Sequence, residues 1–175
     1  MLSGDARKAL PSFERALTLD PALAAAKYNR AIAWMKVGEH AKASAALAAI
    51  AEDGESPLQA LAAYHNALAL DSLKRPADAE FWLQRALVSD PKLDASHLYL
   101  GMLRERRGDM ESAARSYLEY LKRNPESIVA MLRLGIVAHR AGRGDVARTY
   151  LQRVVDKSPR SPEAVEARMY LVMWD

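Results

Sequence analysis

The sequence predicts an all-α fold, a solenoid of stacked antiparallel helix pairs. Three observations carry that prediction: an Ala-rich composition, a period of 34 residues, and two amphipathic stretches within each period. Of 175 residues 33 are Ala and only 7% are aromatic, so the core is expected to form from closely approaching helices and not from large rings. The absence of Cys excludes a disulfide framework, thiolate metal sites and Cys nucleophiles. The longest stretch without Asp, Glu, Lys or Arg runs from Ser56 to Leu70, short of the roughly 20 apolar residues of a membrane helix, and it carries Pro57, Gln59, His65 and Asn66. No apolar run follows the basic residues of Met1 to Lys8, so no signal peptide is expected.

The period is read from repeated endings. Leu19-Asp20-Pro21, Ser89-Asp90-Pro91, Arg123-Asn124-Pro125 and Lys157-Ser158-Pro159 close four similar segments, with prolines 70, 34 and 34 residues apart. Pro disfavours helical geometry in the residue before it, so a helix stops at each. The series Ala9, Ala43, Ala79, Ala113, Ala147 fills the longer gap with one more unit and leaves two extra residues, assigned to Glu52–Pro57, where Gly54 and Pro57 loosen the turn.

The elements follow in order. Residues 1–23 hold a second helix alone, Ala6 to Leu19, with Gly4 in the turn before it. Residues 24–59 pair a first helix carrying Tyr28 and Ile32 with a second carrying Ala43 and Leu47, across Gly38. Residues 60–93 repeat this with Tyr64, Ala67 and Leu68 before Lys74, and Ala79 and Leu83 after it. In 94–127, Leu98, Leu100, Gly101 and Leu103 precede the turn Arg107-Gly108-Asp109, and Ala113, Ala114, Tyr117, Tyr120 and Leu121 follow it. Gly108 suits the left-handed end of a helix and Asp109 suits the cap of the next. Residues 128–161 hold Leu132, Gly135 and Ile136, then Gly142, then Ala147 and Leu151. Residues 162–175 are expected to form one further first helix, either a capping helix, which its partly polar Glu163, Glu166 and Arg168 suit, or the truncated first half of another repeat.

A 34-residue helix-turn-helix with a small residue in the first helix (Ala31, Ala67, Gly101, Gly135), a turn Gly (Gly4, Gly38, Gly108, Gly142), a large apolar residue in the second helix (Phe13, Leu47, Leu83, Tyr117, Leu151) and a closing Pro resembles the tetratricopeptide repeat (TPR) over nearly the whole chain. Departures are Arg30 and Asn66 in a slot usually Leu, Lys74 for the turn Gly, and Glu55 for the closing Pro. The resemblance implies a right-handed superhelix whose concave face, lined by first helices, holds a peptide or partner helix. On that face it places Tyr28, Asn29 and Ile32, then Leu61, Tyr64, His65 and Leu68, then Leu98, Tyr99 and Met102, then Leu132, Arg133, Ile136 and Arg140. Residues i and i+4 share a helix face, so Tyr28/Ile32, Tyr64/Leu68, Leu98/Met102 and Leu132/Ile136 are expected to form an apolar strip suited to an amphipathic helix or extended apolar segment. The competing reading makes part of that strip core, packed between neighbouring first helices, and Tyr28 and Tyr64 fit it best.

Charge is unevenly placed. The segments from residue 1 to 127 are each neutral, 128–161 carries +5, and the tail carries −2. Arg133 and Arg140 are therefore expected to fork onto carboxylates of an acidic partner, against the plainer reading of a solvated basic surface. Four neutral segments and no basic groove with interleaved aromatics speak against nucleic acid. The Lys, Asn and Arg clamp with which some family members bind acidic chaperone C-termini is not matched. Arg107-Gly108-Asp109 and Arg143-Gly144-Asp145 are attributed to turn capping and not to integrin binding. His40, His65, His97 and His139 sit in unrelated slots, so neither metal nor cofactor is expected. Trp34 and Trp82 are assigned to the core and Trp174 to an exposed position. No phosphate loop, nucleophile elbow or carboxylate pair points to catalysis.

The resemblance thus implies a non-enzymatic scaffold binding a protein or peptide, with a cytoplasmic setting favoured over a periplasmic or envelope-associated one. Arg outnumbers Lys 17 to 8, a balance typical of GC-rich bacterial genomes. Bacterial relatives of this kind serve pilus, secretion, motility or polarity machines. The alternatives are a structural or oligomerising segment of a longer solenoid, self-associating through its end helices, and the docking portion of an enzyme whose catalytic domain lies outside this chain.

Overall fold

The turns between helices set the architecture. The computed structural model describes residues 3–173, and among these all regular secondary structure is helical. The helices are α1 (Ser3–Leu19), α2 (Ala24–Lys36), α3 (His40–Glu52), α4 (Gln59–Ser72), α5 (Pro76–Ser89), α6 (Asp94–Arg106), α7 (Met110–Arg123), α8 (Ile128–Arg140), α9 (Gly144–Lys157) and α10 (Pro162–Val172). Four tight turns share one device. Gly38, Lys74, Gly108 and Gly142 take φ values of 86°, 62°, 82° and 74°. The next residue's N–H reaches back to a carbonyl five positions earlier: Glu39 to Trp34, Arg75 to Leu70, Asp109 to Arg104 and Arg143 to Ala138, at 2.8–3.0 Å. These bonds satisfy carbonyls that a helix end would leave bare and reverse the chain within three residues. Lys74 adopts the glycine conformation with a side chain attached.

Helix starts are more varied. Asp109 accepts from Ser112 N–H at 3.1 Å, and Ser127 and Ser161 accept from Ala130 and Ala164 N–H at 3.3 and 3.1 Å. The second Arg-Gly-Asp run differs from expectation: Gly142 makes the turn, Arg143 is the cap residue, and Asp145 sits in the first turn of α9 without a cap bond. Gly4 also departs, because α1 begins at Ser3 and encloses it. The loop from Asp53 to Leu58 has six residues where those after α1, α5, α7 and α9 have four.

The chain divides into two compact units, residues 1–96 and 97–175, with α6 starting in the first and continuing in the second. In the first unit α2 packs on α1, α3 and α4, and α4 on α3 and α5. Its core is small and aliphatic: Ala31, Ala43, Leu47, Ala62, Ala67, Ala79, Leu83 and Ala86 are fully buried. In the second unit α8 is enclosed by α7, α9 and α10, and its core holds Tyr117, Met131, Leu134, Ile136, Val137, Leu151 and Val154.

Here the small and large slots meet. A Cβ added to Gly101 would lie 2.5 Å from Tyr117 Cε1, and one added to Gly135 would lie 2.6 Å from Leu151 Cγ. Helix propensity alone favours Ala over Gly by about 1 kcal/mol. Both large partners are fully buried and cannot withdraw, so sterics reverse that sign. Gly135→Ala is expected to destabilise the protein by about 1–3 kcal/mol in urea unfolding; a variant more stable than the parent would refute this packing account.

Candidate functional site

The first-helix face of the first unit centres on three rings. His65 on α4 meets Tyr28 on α2 edge to face at 5.6 Å and Tyr64 at 5.0 Å. His65 Nδ1 lies 2.9 Å from both the Leu61 carbonyl oxygen and the Tyr28 hydroxyl. A carbonyl only accepts, so the Leu61 bond requires a proton on Nδ1, with the Tyr28 oxygen as a second acceptor; the other tautomer takes the Tyr28 proton and gives up Leu61. Burial pushes the His65 pKa below its ordinary 6.5, outweighing the Leu61 bond, and burial raises both tyrosines.

Around the rings the predicted contacts divide. Leu61 is 39% exposed, Leu68 and Ile32 are half-buried, and Asn29 is exposed. Asn29, Ile32 and Lys36 of α2 face Ala6, Ala9 and Phe13 of α1 across a groove of about 260 Å³. A larger cavity of about 430 Å³ lies among Leu17, Lys27, Arg30, Ala49 and Ile50. Trp34 is half-buried, with the Arg30 guanidinium 4.7 Å from its ring centre. Asn66, in the slot usually Leu, is a buried polar link: with its carboxamide turned to satisfy both ends, the nitrogen donates to Ser44 O and Oγ, and the oxygen accepts from Trp82 Nε1 at 3.2 Å.

The second unit differs from expectation. Leu132 and Ile136 are 3% and 1% exposed and belong to its core, because residues of α7, α9 and α10 and the side chains of Leu98 and Met102 pack in one cluster with them. Leu98 and Met102 are half-buried against the same core, and Tyr99 is half-buried. Arg133 and Arg140 already face a carboxylate of their own chain: Glu105 Oε1 lies 3.5 Å from Arg133 Nη1 and 4.0 Å from Arg140 Nη1. Glu105 Oε2 accepts from the buried Tyr117 hydroxyl at 2.8 Å. Burial and that bond drive the Tyr117 pKa far upward.

Glu105 has no place in the repeat pattern. Its available signal was Tyr117, a phenol in an apolar slot whose hydroxyl needs a buried partner. Phe81, 53% exposed with Arg85 5.9 Å from its ring centre, was likewise invisible to the repeat. Trp174 lies outside the described residues. Among the described residues, no three His, Asp or Glu side chains converge as a metal site requires, and no helix is long and apolar enough to cross a membrane.

A family model for the tetratricopeptide repeat matches residues 35–94, 98–162 and 132–172, and a second model of the same description matches 1–64. Among solved structures the chain is similar to MamA, at 22% identity over 90% of this chain and 85% of that one, with a TM-score of 0.76. It is similar to PilW, a widely conserved type IV pilus biogenesis factor, at 20% identity over 94% and 74%, TM-score 0.80. YrrB, a TPR protein with an unusual peptide-binding site, aligns at 20% identity over 95% and 84%, TM-score 0.76. Similarity at these identities speaks for the fold. No curated protein sequence matches the chain.

The His65 environment has a measurable consequence. Its folded pKa lies below its unfolded one, so its contribution to stability is present above about pH 6.5 and is lost as pH falls toward the folded value. The urea midpoint of the parent should therefore fall more steeply between about pH 7 and about pH 5.5 than that of His65→Phe. Identical slopes would mean that the ring is not held neutral by burial.

Proposed function

Since the chain belongs to the tetratricopeptide repeat family, we propose that it is a non-enzymatic scaffold that holds a partner's peptide or amphipathic helix on the first-helix face of its first unit. The observation that carries this reading is Leu61, 39% exposed beside the Tyr28, Tyr64 and His65 rings. A rigid aromatic platform offers contact area with little rotamer entropy left to lose. Leu68 and Ile32 extend the apolar surface, and Asn29 supplies a polar edge. Buried against a partner, such a surface returns about 25 cal/mol per Å² before ordering costs. Leu98, Tyr99 and Met102 are the second unit's candidates for further contact, whereas Leu132 and Ile136 are buried in its core and Arg133 and Arg140 stand beside Glu105 with 41% and 48% of their side chains exposed. The setting we favour is a bacterial assembly machine for pili, secretion, motility or polarity. Its support is the Arg-rich composition and a fold shared with a pilus biogenesis factor and a peptide-binding TPR protein.

The test compares affinity capture from lysate of the native host by the parent and by Leu61→Glu, with circular dichroism on each. Leu61→Glu should keep its helicity and lose a specific partner. Leu132→Glu, which buries a carboxylate in the core at a cost of several kcal/mol, should instead lose helicity. A partner retained by folded Leu61→Glu removes the site from this face.

One observation favours self-association as a second reading. Val165, Met169 and Val172 of α10 are 52%, 63% and 74% exposed, although their counterparts one period earlier, Met131, Gly135 and Ala138, are buried in α8. Light scattering should show concentration-dependent mass that Met169→Glu abolishes; a constant monomer mass would dismiss this reading.

A further inference from the structure

In the second unit Leu132 and Ile136 of the first-helix face are buried, and an open groove lies between two second helices. α7 and α9 leave a groove of about 420 Å³ between them. Its floor is apolar: Leu118 is 38% exposed, Leu121 lies buried at the base, and Pro125 and Tyr150 form the walls. Its rim is cationic, with Arg115 and Lys122 on α7 and Arg153 on α9 against a single carboxylate, Glu119.

The internal contacts of these cations leave capacity for a ligand. Arg115 Nη2 donates to Ser112 Oγ at 2.7 Å, and the Arg153 guanidinium sits 5.4 Å from the centre of the Tyr150 ring. Each guanidinium has five N–H donors, so one hydroxyl contact or one ring face does not exhaust it. Lys122 pairs with Glu119 at 2.6 Å with side chains 67% and 47% exposed. A pair that exposed contributes at most about 1 kcal/mol and exchanges readily for another carboxylate. Arg133 and Arg140 face the nearly buried Glu105, whereas the cations around this groove meet a hydroxyl, a ring and an exposed glutamate.

We propose that the groove between α7 and α9 is a second docking surface, distinct from the first-unit face, for an acidic peptide segment that carries one large apolar side chain between carboxylates. The apolar side chain fills the space over Leu118 and against Tyr150, at the lower end of the size range of ligand pockets. The flanking carboxylates accept from Arg115 and Arg153 on opposite walls, where bidentate pairing sets the orientation of the segment. Nucleic acid is a poorer occupant. Tyr150 is the one aromatic lining this groove, and Arg153 covers it, so no platform for stacked bases is present.

The experiment is fluorescence anisotropy on the full chain with labelled short peptides in which Leu, Phe or Trp stands between pairs of aspartates. The controls are the same peptides with lysines for aspartates, an aspartate peptide with Ser at the centre, and labelled oligothymidine. At least one acidic apolar peptide should bind saturably and weaken at raised salt. Its Kd should rise roughly tenfold or more in Arg153→Glu and in Arg115→Glu, and similarly in Leu118→Glu, with helicity confirmed in each. Leu61→Glu should leave it unchanged, which separates failure of this site from failure of the first-unit site. The proposal is overturned if no acidic apolar peptide binds, if the Ser-centred peptide or oligothymidine binds as tightly, or if folded Arg115→Glu and Arg153→Glu variants bind like the parent.

Discussion

How closely a first helix can approach its second is the constraint on which the rest of this chain depends. In the second unit the approach is set by glycine: Gly101 receives the ring of Tyr117, and Gly135 receives Leu151. The consequences run outward from there. A Tyr in that slot fills more volume than a Leu but brings a hydroxyl into the core, and a buried hydroxyl without a partner costs about 1–3 kcal/mol. Glu105 supplies the acceptor and is itself left only 11% exposed, so it needs positive charge nearby. Arg133 and Arg140 provide it from α8. A packing choice at Gly101 thus reaches, through one phenol and one carboxylate, the arginines that would otherwise be the most inviting cations on the first-helix face.

The first unit meets the same constraint with smaller pieces. Ala31 and Ala67 fill the small slot, Leu47 and Leu83 the large one, and all four are fully buried. No phenol enters these two slots, and the buried polar chemistry falls elsewhere, on the Ser44, Asn66 and Trp82 link. Tyr28 of α2 and Tyr64 of α4 stay at the first-helix face. There Tyr28 and Tyr64 brace His65 between neighbouring first helices while Leu61 remains open. The contrast is one of burial: the slot occupied by Tyr28 and Tyr64 in the first unit is occupied by Leu132 in the second, where it is core.

That contrast shows how far the sequence could be read. The period, the left-handed turns and the small and large slots are local or strictly repeated properties, and each could be read from residue type and spacing: Gly38, Gly108 and Gly142 at the turns, Gly101 and Tyr117 one helix apart. Burial of a first-helix side chain is not local, because it depends on which side chains the neighbouring helices place against it. Leu132 and Ile136 pack in one cluster with residues of α7, α9 and α10 and with Leu98 and Met102, so they are enclosed although their spacing matches that of Tyr64 and Leu68. Pairwise chemistry between non-equivalent positions was also out of reach. Nothing in a 34-residue repeat couples Glu105 to Arg133, or brings Arg153 and Leu118 to one groove, because these pairs join different repeats through side chains that the pattern treats as free.

The two proposed docking surfaces rest on different physics. Around Leu61, contact would be made by rings and aliphatic groups, whose attraction is short in range and little affected by moderate salt. Around Leu118, an apolar floor lies beneath Arg115, Lys122 and Arg153, so attraction begins at a distance of about the Debye length and weakens as salt rises. Cations of this kind contribute more to the rate of encounter and to the choice of partner than to the lifetime of the complex, which the desolvated apolar contact governs. The uneven charge of the sequence, neutral through residue 127 and +5 over 128–161, thereby acquires a structural meaning. Two of those cations lie beside Glu105, and Arg153 of the same segment stands over Tyr150 at the edge of a groove whose apolar floor is open.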